Sequence, residues 1–181
     1  MSEQPRKPLT LHAMQYGLYM GLYLLIAFLF SAWSLHAPVF NTLAVLTVVA
    51  IPAVVYLLMS HFMRSEGGTS RFVVLWSLGI YLFFFASLVS GLGEYLYCTF
   101  VEPDFIPSQI EDILLKLEAA PLDSPDMQAL VELLRKGYAQ RLYPTPIELV
   151  YQMIWLKLFL GSIVSLFVAL FINLYIRFRN R

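Results

Sequence analysis

Charge is what this chain has least of. Asp, Glu, Lys and Arg make up 13% of its 181 residues, about half the share usual in soluble domains. None of the four occurs between Lys7 and Arg64. That gap excludes a solvated surface over the first third of the chain. Cysteine is almost missing as well: Cys98 stands alone, which rules out an intrachain disulfide and a CxxC metal or redox motif. The 12 basic and 12 acidic residues balance, so no basic field points to nucleic acid as a partner. No Gly-rich phosphate loop, nucleophile elbow or HExxH is present, and no cofactor is expected. These gaps point away from an enzyme.

What fills the chain instead is hydrocarbon, with 59% hydrophobic residues and a mean hydropathy of +0.70. A helix needs about 20 residues to cross some 30 Å of bilayer core, so the charge-free run is too long for one span. His36-Ala37-Pro38 divides it into spans of about 11–35 and 39–62. The first reads as an uncleaved anchor, since it exceeds the h-region of a signal peptide and no A-x-A site follows. Arg64 to Arg71 is a short Gly- and Ser-rich connection. A third span covers about 72–100, the tyrosines near its end forming an aromatic belt, and a fourth covers about 146–176. The expected fold class is therefore all-α: a polytopic membrane protein of four transmembrane helices.

The last span has clear punctuation. Thr145 caps it, Pro146 suits the first helical position, and Glu148 returns a bond to the cap. Its far end carries Arg177, Arg179 and Arg181.

Between the third and fourth spans lies different material, with eight carboxylates against four Lys and Arg from 102 to 143. Ser108 and Glu111 suggest a capping box, followed by Ile110, Ile113, Leu114 and Leu117 on one helical face. After Pro121, Ser124-Pro125-Asp126 starts a second helix with a stripe of Met127, Leu130, Val131, Leu134 and Tyr138. Insert 102–145 should thus form a helical hairpin. Two short amphipathic helices bury little alone, so their apolar faces should meet each other, the membrane surface or a partner. Counting Lys and Arg by side, seven lie near the termini and the 64–71 connection, and four in the long insert. The positive-inside rule then puts both termini in the cytoplasm and the hairpin outside.

Small residues mark where helices can approach closely. Gly17 and Gly21 stand four apart in the first span, and Gly161, Ser165 and Ala169 recur every four residues in the last. That seam suits packing within one chain or in a homo-oligomer. Pro52 removes a backbone donor near mid-span and suggests a kink.

One charged pair invites a functional reading. Glu94 lies 22 residues beyond Phe72, and Lys157 lies 20 before Arg177, so at 1.5 Å per residue both fall about 30 Å from the Arg-rich side. If the third and fourth spans are neighbours, an intramembrane ion pair is sterically reasonable. It would serve either structure or a polar pathway for an ion or proton; the other reading is a lysine that snorkels to the headgroups and a glutamate that is simply interfacial. The histidines offer no metal site, because His12 and His61 fall near one surface and His36 near the other. The insert's carboxylates lack the pattern of a calcium loop. A lipid-modifying enzyme would need several polar side chains at one depth, and these are not found.

The chain resembles a bacterial membrane family known as a domain of unknown function, numbered 4199. The likeness rests on Tyr16-Gly17-Leu18, on Tyr95-Leu96-Tyr97 with Pro103-Asp104-Phe105, and on the Pro-Thr-Pro-Ile-Glu run at 144–148 leading into Gly161 to Leu170. It implies an inner-membrane protein of Gram-negative bacteria with a long periplasmic insert before its last helix. It carries over no catalytic residues. Membrane lipids, a second copy or another membrane protein are the partners expected, in a non-catalytic component of a membrane complex. The alternative is a small transporter using Glu94 and Lys157.

Overall fold

In the computed structural model the described residues are 9–34, 37–65, 71–119, 125–140 and 143–179. Arg6, Lys7, His36, Arg141, Arg181, residues 66–70 and 120–124 and the side chain of Met127 lie outside them. All regular structure among them is helical. The helices are α1 (Leu9–Trp33), α2 (Pro38–Ser65), α3 (Phe72–Leu96), α4 (Phe105–Ala119), α5 (Pro125–Ala139) and α6 (Pro146–Arg179). Four stretches are long and apolar enough to cross a membrane: Leu9–Trp33, Pro38–Ser65, Phe72–Val101 and Pro146–Phe178.

Local chemistry explains their ends. Pro38 opens α2 where its missing N–H costs nothing. Pro146 does the same for α6, and the Glu148 carboxylate accepts the Thr145 N–H at 2.8 Å. The end of α3 widens into a π-turn over Tyr97–Val101, closed by the Glu102 N–H on the Tyr97 carbonyl at 2.9 Å. Such one-turn bulges insert a residue without breaking the helix.

The chain forms two compact units. One contains α1, α2, nearly all of α3 and most of α6, and the other runs from Glu94 to Tyr151. In the first, contacts establish direction. Tyr16 meets His61 and Trp33 meets Phe40, so α1 and α2 are antiparallel. A Cβ added at Gly17 would lie 2.5 Å from that of Phe85, and one at Gly21 would lie 2.7 Å from that of Val89. Hence α1 and α3 run parallel with their backbones close. Gly79 faces Ser165 and Gly161 faces the Phe83 ring, which makes α3 and α6 antiparallel. Arg64, Arg71 and Arg177 therefore share one end of this bundle, all exposed. Its interior is mostly apolar, with Met20, Met59, Leu75, Leu78 and Leu82 fully buried.

In the second unit, α4 packs on α5. Leu114 and Val131 are buried, and Arg135 meets Glu118 at 3.1 Å across the pair. The Tyr138 hydroxyl donates to Glu111 at 3.3 Å; the facing carboxylate raises the phenol's pKa above its usual value. One expectation needs correction. Ser108 caps nothing: α4 begins three residues earlier, and the Ser108 hydroxyl donates back to the Asp104 carbonyl at 2.8 Å. Pro107 is compatible with this because it lies in the first turn, where no intrahelical donor is required.

Candidate functional site

The polar residues of α3 converge on one stripe. Ser87, Ser90 and Glu94 follow at helical spacing of three and four, on the face that also buries Phe83 and Ala86. Both serines are fully buried, and Glu94 is 1% exposed. Their hydroxyls turn back onto their own helix: Ser87 donates to the Phe84 carbonyl at 2.9 Å, and Ser90 to the Ser87 carbonyl at 3.4 Å. Back-bonding of this kind satisfies a hydroxyl in hydrocarbon without a second helix. It leaves the oxygen of Ser90 able to accept, and Lys157 of α6 donates to it from Nζ at 3.1 Å.

The register explains why these two meet. Four steps along α3, from Gly79 to Phe83, match four steps back along α6, from Ser165 to Gly161; one more turn sets Lys157 opposite Ser87. The lysine stem then reaches the next serine along. Glu94 opens the second unit, one helical turn after Ser90 on α3. An ionised side chain within a spanning helix is costly to insert, so a half-buried lysine there, one of whose contacts is the Ser90 hydroxyl, is a feature with a purpose, structural or functional.

Lys157 also lines a groove of about 320 Å³. Leu24, Pro52, Phe83, Gly161 and Val164 contribute to its walls. A second groove, of about 560 Å³, shares Pro52 and continues past Tyr56, Phe171 and Leu174. Pro52 sits inside an α2 that runs unbroken from Pro38 to Ser65. Its ring denies the Val48 carbonyl its intrahelical donor.

The small residues lie as follows. Gly17 and Gly21 face α3, Gly161 and Ser165 face Phe83 and Gly79 of α3, and Ala169 is fully buried. Ser165 Oγ is buried with no hydrogen-bond partner among the described residues, so this serine is used for its size. At the arginine-bearing end, the Tyr16 hydroxyl lies 2.9 Å from His61 Nδ1. His12 stacks on Tyr16 and stands edge-on to Phe62. Two histidines thus share one tyrosine. Among the described residues no group of three or more His, Cys, Asp or Glu is placed to hold a metal.

Ser87, Ser90, Gly79 and Phe83 escape a reading by composition. A serine in an apolar helix is ordinary, and only the spacing of Ser87 and Ser90 with Glu94 singles these out.

Four apolar helices long enough to span a membrane, with a half-buried lysine–serine contact between two of them, define a multi-pass, all-helical membrane protein. The chain belongs to the family described as "Protein of unknown function (DUF4199)", whose model matches residues 15–173. That stretch takes in the whole of α2, α3, α4 and α5 and parts of α1 and α6. No curated protein and no solved structure matches the chain.

Proposed function

We propose that this protein is a non-catalytic component of a membrane complex. In this reading it lies in the bacterial inner membrane, with both termini cytoplasmic and α4–α5 in the periplasm. Supporting the orientation is the exposed arginine set at one end of the bundle, Arg64, Arg71 and Arg177, the sign expected of a cytoplasmic surface.

The observation that carries the reading is the open apolar surface of α4–α5. Its seam buries Leu114 and Val131, while Ile113, Leu115, Leu130 and Leu133 stay 45–69% exposed on helices outside the spans. Lipid does not cover such positions by default. The insert's excess of carboxylates also disfavours lying against an anionic bilayer surface. A protein partner, either another membrane protein or a second copy, is the better cover.

Photo-crosslinking from positions 115 and 133 of the full chain in native membranes tests this. A discrete protein adduct, identified by mass spectrometry, is expected. Lipid adducts alone, or none, would sink it.

A second reading makes Glu94 and Lys157 an ion pair in a polar pathway. The near-complete burial of a carboxylate in a spanning helix favours it. Replacing the two by Gln and Met would then abolish ion or proton flux in proteoliposomes while the protein still folds. If instead the exchange Glu94→Lys with Lys157→Glu restores expression lost in each single variant, the pair is structural.

A further inference from the structure

We propose that the 38–51 half of α2 is a hinged arm. It pivots at Pro52, is latched open against α1 by Tyr23, and swings across the groove of about 320 Å³ to close on α6. This does not rest on the partner reading above.

The two halves of α2 are held unequally. Of its four buried residues, Val55, Met59 and Phe62 follow Pro52, and Ala44 alone precedes it. The half after Pro52 bonds α1 through His61 and Tyr16, sets Phe62 edge-on to His12, and reaches α6 where the Tyr56 and Phe171 rings stand 6.2 Å apart. The half before it leaves Val45, Leu46, Val48 and Val49 56–70% exposed. Phe40 meets Phe30 and Trp33 of α1. Towards α6 this half faces the groove instead, with Val48 and Ile51 on one wall and Leu160 and Val164 on the other.

The boundary between the halves is built to bend. Pro52 lacks the N–H that the Val48 carbonyl would accept, and its ring crowds that carbonyl. Bending in helices concentrates at such residues. A uniformly bonded helix would carry the grip on Met59 and Phe62 through to its other end; one weakened at Pro52 does not.

A polar tie sits on the arm side of the hinge. The Tyr23 hydroxyl donates to the Thr47 carbonyl at 2.6 Å, five residues before Pro52. Swinging towards α6 gives up this bond. In return Val48 and Ile51 pack on Leu160 and Val164, and close contact is what stabilises helices against one another in a bilayer. A loss set against a gain makes two packed arrangements of one helix, and closure takes the groove out of contact with lipid.

Disulfide trapping in native membranes tests this. In the full-length chain with Cys98→Ser, which removes the native thiol, Val48→Cys and Leu160→Cys put one thiol on each wall of the groove. A disulfide needs the two Cα atoms within about 7 Å, so the pair reports closure. An oxidant should join them within one chain, read by mass spectrometry. Tyr23→Phe should raise the rate about fivefold, the shift that follows loss of one neutral hydrogen bond. Pro52→Ala, which restores the missing donor, should slow it. Tyr56→Cys with Phe171→Cys, beyond the hinge, should form its bond at a rate that Tyr23→Phe leaves unchanged. No disulfide between positions 48 and 160, or one only between two copies, would overturn the proposal. So would a rate there untouched by Tyr23→Phe, or equal acceleration at both pairs, which is general loosening of the bundle. If Pro52→Ala does not fold, the Tyr23→Phe comparison decides alone; if it folds and traps as fast as its parent, Pro52 is no hinge.

Discussion

The spanning bundle and the α4–α5 pair are both helix on helix, yet they hold together by opposite means. In the bundle, helices approach until backbone nearly meets side chain: Gly17 on Phe85, Gly21 on Val89, Gly161 on Phe83. In α4–α5 the seam is thin and one exposed ion pair, Glu118 with Arg135, crosses it, while Asp112 with Lys116 and Glu132 with Lys136 pair within their own helices. The contrast follows from solvent. Lipid tails are as apolar as leucine, so helices in a bilayer gain nothing from hiding leucines and must gain from close contact. In water two 15-residue helices would be near the limit of stability alone, and ion pairs at exposed sites add little.

The comparison can be broken most sharply in the bundle. Gly161→Val places carbon where the Phe83 ring already lies. Overpacking of this sort costs about 1–3 kcal/mol, sometimes more, and should lower the thermal midpoint in detergent by several degrees. Gly17→Val should act alike, since its new carbon meets both Phe85 and the Leu82 carbonyl. If both variants melt like the parent, close approach is not what holds the bundle.

A middle effect is expected for Leu114→Ala, which empties a side chain only 8% exposed. Buried leucine truncations cost about 2–5 kcal/mol, and this thin seam should lie at the lower end. Amide exchange should then quicken across α4 and α5 while α1 and α3 keep their protection. Equal loss of protection in α1 and α3 would mean that the two units unfold together.

The smallest effect is electrostatic. Lys136 holds the Glu132 carboxyl below its usual pKa, first through its hydrogen bond and then through its charge. A carboxylate depressed in the folded state stabilises above its unfolded pKa, near 4.3, and that contribution fades as pH falls through the lower folded value. Both groups are exposed, so acid should loosen the last turns of α5 only slightly. Glu118→Gln should cost about 0.2–1 kcal/mol at low ionic strength and less in molar salt. A large acid transition in the hairpin would show that charge, not the Leu114–Val131 seam, holds it.

How legible each feature was depends on how local its cause is. The spans could be read because crossing a bilayer demands an uninterrupted apolar run, and Pro38, Pro146 and Glu148 punctuate helices by chemistry confined to a few residues. The start of α4 is less legible for a related reason. Ser108 with Glu111 has the form of a cap, but a first turn tolerates Pro107, so the helix starts at Phe105 instead. The π-turn over Tyr97–Val101 replaces an ordinary helical end and leaves no compositional trace. At the candidate site the ionisable residues stood out against hydrocarbon. Ser90 did not, because its meeting with Lys157 depends on the register of α3 against α6, which Gly79 and Gly161 set from turns away.

That α3 runs parallel to α1 bears on how the protein is made. A ribosome delivering the chain inserts α1 and α2 first, and the glycine face of α1 stays bare until a third segment has entered the membrane beside it. α3 then offers a waiting surface of its own, Gly79 and Phe83, which α6 covers when it emerges later. Nascent chains halted anywhere before residue 146 therefore present a half-finished bundle to whatever quality-control protease patrols the bilayer.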